Sequence, residues 1–428
     1  MSIYTALYSG VSGLQAESGA LGVIGNNLAN SNTVGFKESN AVFENVLGSA
    51  VGANGQIGGG VRMATTQQVF AEGALTNTGV PTDVALSGDG FFVVNGSVSG
   101  VNGDFYTRAG QTSLNSNGTL VNPDGLAFQG YAANPDGTFS TTPASIQVNT
   151  GDLPPKTTAT ISMTANLDAT QTPPVLPWDP QNPGPTSNFS TSMQIYDSLG
   201  DAHTVNVYFQ NTGAGAWTYH VLANGSEVSG GTAGQNSEIA NGTMTYDSTG
   251  ALQTQTSTAN TVSFNGASAN QALTFNFGTP TSLGGTGLDG ITQFGSPSST
   301  AAQSQDGYAS GALTGVTIDA NGVVNGAYTN GQTIAVAQLA VAKFSSNTGL
   351  AQQGQNVWSA TSQSGLAALG GAGTGGRGAL VSGSLENSNV DISTQFVDLI
   401  AHQSSFQADS KTITTAEQML QSLITMTQ

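Results

Sequence analysis

"IYTALYSGVSGLQAESGALGVIGNNLANSNTVGFK", residues 3–37, places Ile3, Leu7, Gly10, Leu14, Glu17, Leu21, Ile24 and Leu28 at alternating steps of four and three. Six of these eight positions are apolar, which is the spacing of a heptad seam and predicts a helix with one stripe against other helices. The same steps recur at the far end of the chain. There Ile392, Phe396, Leu399, Gln403, Phe406, Ser410, Ile413, Glu417, Leu420 and Ile424 give seven apolar positions of ten. Two ordinary amphipathic helices on a local core would show the same spacing, so magnitudes have to separate the readings. Gly10, Gly13, Gly19, Gly22 and Gly25 weaken the first helix by roughly 4–5 kcal/mol relative to alanine, at ~1 each. Burying its six Leu and Ile side chains returns on the order of 9–18 kcal/mol at most. The helix is therefore weak alone and stable against partners. A matching segment at the other chain end predicts that both ends fold on assembly and are flexible in the monomer.

The last twelve residues of that stretch, "NNLANSNTVGFK" (26–37), pack four asparagines into seven positions. Leu28 is the last seam position. Asn26, Asn27, Asn30, Thr33, Gly35 and Phe36 then read as the helix exit and the start of a connector, since Asn and Gly leave a helix easily. A generic asparagine-rich loop shares this composition.

Composition narrows the function classes. The 428 residues allow two or three domains. Seven Lys and Arg against 25 Asp and Glu give a net charge of −18, leaving no basic footprint for nucleic acid or for an anionic membrane surface. Only 7% of residues are charged, against about 25% in ordinary soluble proteins. With no cysteine there are no disulfides, thiolate zinc sites or Cys nucleophiles. No apolar run approaches the 18 residues of a membrane span. The first basic residue is Lys37, so a secretory signal peptide is not expected.

Between the helical ends the pattern is β. Ten Asn-Gly and five Asp-Gly dipeptides mark tight turns, because both residues tolerate positive φ. They separate alternating runs such as "MQIYDSLGDAHTVNVYFQ" (193–210) and "QTIAVAQLAVAKF" (332–344). Nine of the fourteen prolines lie between Pro143 and Pro185, a poor sheet interior and a good inter-domain crossing. The loose stretch 282–307 is the candidate return crossing. The expected fold is mainly β with α-helical termini, nested and multi-domain: terminal coiled-coil helices plus two antiparallel β domains, the second inserted in the first. Residues 1–30 and 390–428 form the terminal helical polymerisation domain, and 31–75 with 358–389 the connector. Residues 76–145 and 300–357 form the first β domain, and 146–299 the inserted outer one.

A search for chemistry returns no catalytic, cofactor-binding or metal site. His203, His220 and His402 lack metal-ligand spacing and read as structural. "GAGTGG" (371–376) contains G-x-G-x-x-G, but neither a leading strand nor a following helix accompanies it, so it reads as a loop. "ALSGDGFFVV" (85–94) reads as a glycine hairpin whose phenylalanines enter the β core. No nucleophile–base constellation emerges, and the chain reads as a non-enzyme without a cofactor.

"NNLANSNTVGFK", "DVALSGDGFFVV", "FYTRAGQTSLNSNGTLVNPDGLAFQGY" and "SNVDISTQFVDLIAHQSSFQADSKTITTAEQMLQSL" together resemble the rod and hook family of bacterial flagellar axial proteins. "SMQIYDSLGDAHTVNVYFQNTGAGAWTYHV" (192–221) and residues 305–361 are similar to hook-type segments. The resemblance implies a subunit that polymerises into the short curved tube between rod and filament, a universal joint that transmits torque. It implies terminal helices lining the tube, outer β layers, and export by the flagellar type III apparatus without a cleaved signal peptide. The location is then the extracellular hook of the basal body. The implied partners are further copies of the chain and the rod, hook-cap and hook–filament junction proteins, without nucleic acid or membrane insertion. The implied polymerisation seam is Ile3, Leu7, Leu14, Leu21, Ile24, Leu28, Ile392, Phe396, Leu399, Phe406, Ile413, Leu420 and Ile424. The family often carries an acidic residue at Gln395, an arginine near Ser404 and a tyrosine near Phe406, which weakens any charged contact there. The rival readings are a distal rod or hook–filament junction subunit and, from another class, a secreted β-rich adhesin or surface-layer protein.

Overall fold

The computed structural model describes residues 3–50 and 56–426, the side chains at 3, 5, 48–50, 56 and 57 excepted. Two helices and a hairpin carry the chain ends: α1 (Ile3–Ala29), β1 (Ser39–Ala50), β2 (Gln56–Gln68) and α2 (Ile392–Met426). Helix α1 persists through its five glycines because it is packed on two sides, against α2 and against the β1–β2 hairpin. The hairpin lies in what the sequence reading treats as connector. Its register slips between Val42 and Phe43 and again between Asn45 and Leu47, and such bulges bend and twist a two-stranded ribbon.

The chain divides into two compact units. The first holds residues 1–150, 314–327 and 333–428; the second is inserted and holds 151–313 with 328–332. In the first unit a large antiparallel sheet runs through Val323–Tyr328, Thr333–Leu339, Ala127–Ala132, Phe91–Val98, Val101–Thr107 and Val357–Ser359. Its core is aromatic. Phe91 meets Trp358 at 5.7 Å between centroids and Tyr106 meets Phe344 at 4.7 Å, both edge-on, as ring quadrupoles favour.

The Gly88–Gly90 turn corrects one expectation. Phe91 and Phe92 are fully buried, but the turn does not close a hairpin. The strand before it, Val84–Ser87, pairs with Ala379–Ser382, while Phe91–Val98 pairs with Val101–Thr107. Gly88 and Gly90 sit at φ +94° and +138°, and a Cβ on Gly90 would lie 2.7 Å from Val341 Cγ1. Only glycine lets the chain pass from one sheet to the other here.

The inserted unit is a five-stranded antiparallel meander from Phe189 to Ala259 sharing a core with a second sheet around Thr160–Asp168. Val205, Val207 and Phe209 alternate inward on one strand and Trp217, Tyr219 and Val221 on the next. The second sheet adds parallel pairs, Thr160–Asp168 with Thr274–Asn276 and with Ile291–Phe294. Turn dipeptides do not announce these, because a parallel partner returns only after a long excursion. The proline-rich run meets the sequence reading only at its start, where the chain passes from the first unit to the second after residue 150. Residues 172–188 lie along the meander rather than between units: Trp178 stacks on His220 at 4.0 Å, and Gln181 and Asn236 exchange hydrogen bonds. The 282–307 stretch contributes strands Ile291–Phe294 and Ser299–Gln305 to the same unit. The unit's histidines are structural: His203 sits between Asp197 and Glu227 at 3.2 and 2.7 Å, and His220 bonds Glu238 at 2.6 Å.

Candidate functional site

The site is the terminal helix pair and the joint through which it enters the first unit. Small residues mark where the helices touch. Gly10, Gly13, Ala16 and Ala20 are all buried on α1, and α2 runs antiparallel to it, closest at Gly10 and Gly13. A Cβ on Gly10 would come 2.9 Å from Ile413 Cγ1, and one on Gly13 would strike the Asp409 carboxylate. His402 Nδ1 meets Glu17 Oε2 at 2.5 Å, and the buried Asn27 donates from Nδ2 to Gln395 Oε1 at 3.1 Å. Gln395, His402, Asp409 and Ala416 recur every seven residues, so α2 presents a largely polar heptad position to α1, where it meets Asn27, Glu17 and Gly13. Burial, and then the nearby Glu17, push the Asp409 carboxyl above its ordinary value. Toward Asn27, Gln395 serves as an uncharged acceptor.

Of the seam residues proposed from the sequence, Ile413 packs against Gly10 within this contact, and the others differ in burial. Ile24 is buried; Leu7, Leu14, Leu21, Leu28, Leu399, Ile413 and Leu420 are half-buried. Ile392, Phe396, Phe406 and Ile424 are 45%, 48%, 37% and 60% exposed. The side chain of Ile3 lies outside those described. Tyr4 and Tyr8 on α1, with Val397 and Ile400 on α2, add to the exposed apolar surface. A heptad pattern reports an apolar face, but the closest approach within one chain follows its glycines.

The helix exit is built by side chains. Asn30 Nδ2 donates to the main-chain and side-chain oxygens of Asn26 at 2.9 and 3.2 Å, and Thr33 Oγ1 donates to Asn30 Oδ1 at 3.0 Å. Asn27 additionally bonds Ser39 in both directions, fixing the start of β1 to the end of α1. The left-handed step comes only at Gly35, φ +67°, where a Cβ would lie 2.7 Å from the Arg108 carbonyl carbon and the Ala109 nitrogen. Phe36 follows, buried.

Beyond Phe36 is a group that sequence reasoning missed. Lys37 Nζ lies 2.5 Å from Glu386 Oε1, and Arg108 Nη1 lies 3.3 Å from Glu386 Oε2, with all three side chains at most 2% exposed. Glu386 Oε1 also accepts the Gly73 amide at 2.9 Å, and Lys37 donates to Ala71 O at 2.6 Å. Arg108 further donates to Leu86 O and Gly88 O and lies over the Phe91 ring at 5.3 Å. Burial pushes the Lys37 ammonium below the usual lysine range. Asn389 completes the crossing: its Oδ1 accepts the Glu38 amide and its Nδ2 donates to Val69 O, both at 2.8 Å. Three segments, 34–38, 69–76 and 384–391, are thereby knotted around one carboxylate. The sign available in the sequence was that Lys37, Arg108 and Glu386 are three of its rare charges, but nothing in sequence pairs them.

Among the described residues, no group of three or more His, Asp and Glu is placed to hold a metal ion, and no helix is long and apolar enough to cross a membrane. What the arrangement offers is mechanical: an outward apolar surface on paired helices, rooted in a buried ionic crossing.

Comparison with known proteins bears on what that surface meets. Four sequence families match: "Flagella basal body rod protein" over residues 7–37, "Flagellar hook protein FlgE/F/G D1 domain" over 85–166, "Flagellar basal body protein FlaE D2 domain" over 166–308, and "Flagellar basal body rod FlgEFG protein C-terminal" over 381–426. The flagellar hook protein FlgE of Escherichia coli is 37% identical over 98% of this chain and 100% of its own length. That of Salmonella typhimurium is 36% identical over 97% and 98%, and that of Treponema pallidum 34% over 98% and 99%. The crystal structure of Helicobacter pylori flagellar hook protein FlgE2 shares the fold, with a TM-score of 0.52 at 15% identity, over 73% of this chain and all of that one.

Proposed function

From the premise that the chain belongs to the bacterial flagellar hook protein family, as a structural subunit of the hook, we propose that its terminal helix pair is the polymerising element. The observation that carries this is the exposed apolar surface of Tyr4, Tyr8, Phe396, Val397 and Ile400, which in water calls for cover by further copies. The seam residues would then work between chains: Leu7, Leu14, Leu21, Leu28, Leu399, Leu420 and their neighbours complete a helix-lined tube. Residues 31–75 and 358–389 act as the connector, and the β domains as outer layers. The buried crossing at Glu386 supports a stiff root that passes torque from helices to β domains. Bending is then left to contacts between copies. In a chain with seven Lys and Arg, few such contacts are ion pairs that hold a single register.

The finer partners follow from the same reading: the rod below, the junction proteins above, the hook cap during growth, and the type III export apparatus. Export without a cleaved signal peptide and the lack of an enzymatic role belong to it too. The test is Leu14→Asp and, separately, Phe406→Asp in the full chain. Both should remain soluble monomers with intact strand signal in circular dichroism and form no tubes under electron microscopy. Tubes from either variant would refute the helix assignment.

A further inference from the structure

Beside the ionic crossing, the joint holds an open cleft of about 400 Å³. The last turn of α1, the loop after Arg108, the turn at Asn122 and the turn between Ala351–Gly354 and Val357–Ser359 converge on it. Its polar groups are largely carboxamides, from Asn26, Asn30, Gln111, Asn122, Gln352, Gln355 and Asn356. Among the described residues the side-chain amides of Gln111, Gln352 and Gln355 make no hydrogen bond within the chain. Asn26 spends its side-chain oxygen on Asn30, and Asn122 spends its own on the amides of Asp124 and Leu126. Gln355 and Asn356 hold left-handed backbone at φ +51° and +55°. Asn356 is pinned there by donating to Val34 O at 2.6 Å, so this turn is fixed to the helix exit.

The lining excludes most ligand classes. It contains no Lys, Arg or His and a single carboxylate, Asp124, so phosphates and other anions find no countercharge. Its aromatic residue, Phe36, is buried and offers no face for stacking a sugar. Neutral amides that both donate and accept match the peptide group, which does the same.

We propose that this cleft receives an extended, uncharged segment of a second copy of the chain, held by carboxamide-to-backbone hydrogen bonds. This rests on the polymer reading above. Two observations single out a second copy. The cleft opens on the last turn of the helix through which copies associate, so a neighbouring chain runs past its mouth. The chain itself is only 7% charged, so a neutral polar segment is what a neighbouring copy presents. Several equivalent amides can change partners in small steps, which keeps the contact satisfied as copies shift within a bending tube.

The chain lacks cysteine, so Gln352→Cys, at an exposed position, introduces a unique thiol. Its maleimide labelling should be at least tenfold slower in assembled tubes than in the same variant kept monomeric by Leu14→Asp. A benzophenone carried on that thiol should crosslink, on irradiation of tubes, to a peptide of a second copy. Equal labelling rates in tubes and monomer, or crosslinks only within one chain, would overturn the cleft contact while leaving polymerisation intact. Failure of the unmodified chain to form tubes would overturn both. Gln111→Ala, Gln352→Ala and Gln355→Ala combined should leave the monomer folded and make tubes dissociate at a lower urea concentration; an unchanged midpoint would also overturn the proposal.

Discussion

Lys37 and Glu386, 349 residues apart in sequence, meet at 2.5 Å with neither side chain exposed. The contact ties the segment that follows α1 to the segment that precedes α2 and so roots both terminal helices in one place. Desolvation makes such a pair weak evidence for stability, but removing one partner strands the other. Glu386→Gln leaves two buried cations facing a neutral amide. It should lower the stability of the first unit by about 3–5 kcal/mol, read as a lower urea midpoint for that unit in the monomer. An unchanged midpoint would mean that Lys37 and Arg108 find other acceptors.

The helix faces lend themselves to a paired test. Gly22 has open space where a Cβ would go, whereas on Gly13 it would press into the Asp409 carboxylate. Gly22→Ala should therefore stabilise α1 by about 1 kcal/mol, its intrinsic propensity gain. Gly13→Ala should lose about 1–3 kcal/mol by overpacking. Thermal loss of the helical circular-dichroism signal would order the two against the unmodified chain. The same sign for both would show that propensity, not close approach, governs the pair.

These glycines also show what a sequence can and cannot express here. Apolar residues at steps of three and four locate both helices, and Leu28 marks the end of α1 to within one residue of Ala29. The same pattern does not say which partner an apolar face meets. Phe396 and Ile424 read like core and are exposed, while Gly10 and Gly13 give no hydrophobic signal and meet Ile413 and Asp409 at the closest approach. Their smallness acts only once α2 is alongside. The β1–β2 hairpin was hidden differently. It packs on α1 through glycine and Met63 rather than through alternating large residues. Lys37, Arg108 and Glu386 are each legible as rare charges, but their meeting is a property of the folded chain alone.

Asp409 should give the helix pair an acid-side pH dependence. Burial first, and the Glu17 charge second, raise its pKa above 3.8. Between that value and the higher folded one, the folded chain binds more protons than the unfolded one, so stability falls as pH rises through the window. The contribution is complete below the unfolded value and lost above the folded one. Asp409→Asn keeps the shape against Gly13 and removes the titration. Its helix-unfolding midpoint should change less across the acidic range and lie higher at neutral pH. Parallel pH profiles for the two proteins would assign the effect to other groups.

A proline-rich strap lies along the meander of the inserted unit. Trp178 stacks on His220 with planes 15° apart and lies 5.8 Å from Tyr208. Three residues on, Gln181 and Asn236 bond reciprocally, and Asn236 Nδ2 donates to Pro180 O at 2.8 Å. Val175 and Leu176, just before the stack, are 99% and 52% exposed and suit thermolysin. Cleavage there requires the strap to lift, so its rate follows the free energy of local opening rather than of global unfolding. Trp178→Ala removes an aromatic contact of about 1 kcal/mol without touching the core between the two sheets. Thermolysin should then cut near Val175 roughly fivefold faster, with the thermal midpoint of the unit little changed. A large fall in that midpoint would instead make the strap part of the cooperative core. No change in cutting would mean that Gln181 and Asn236 alone hold it down.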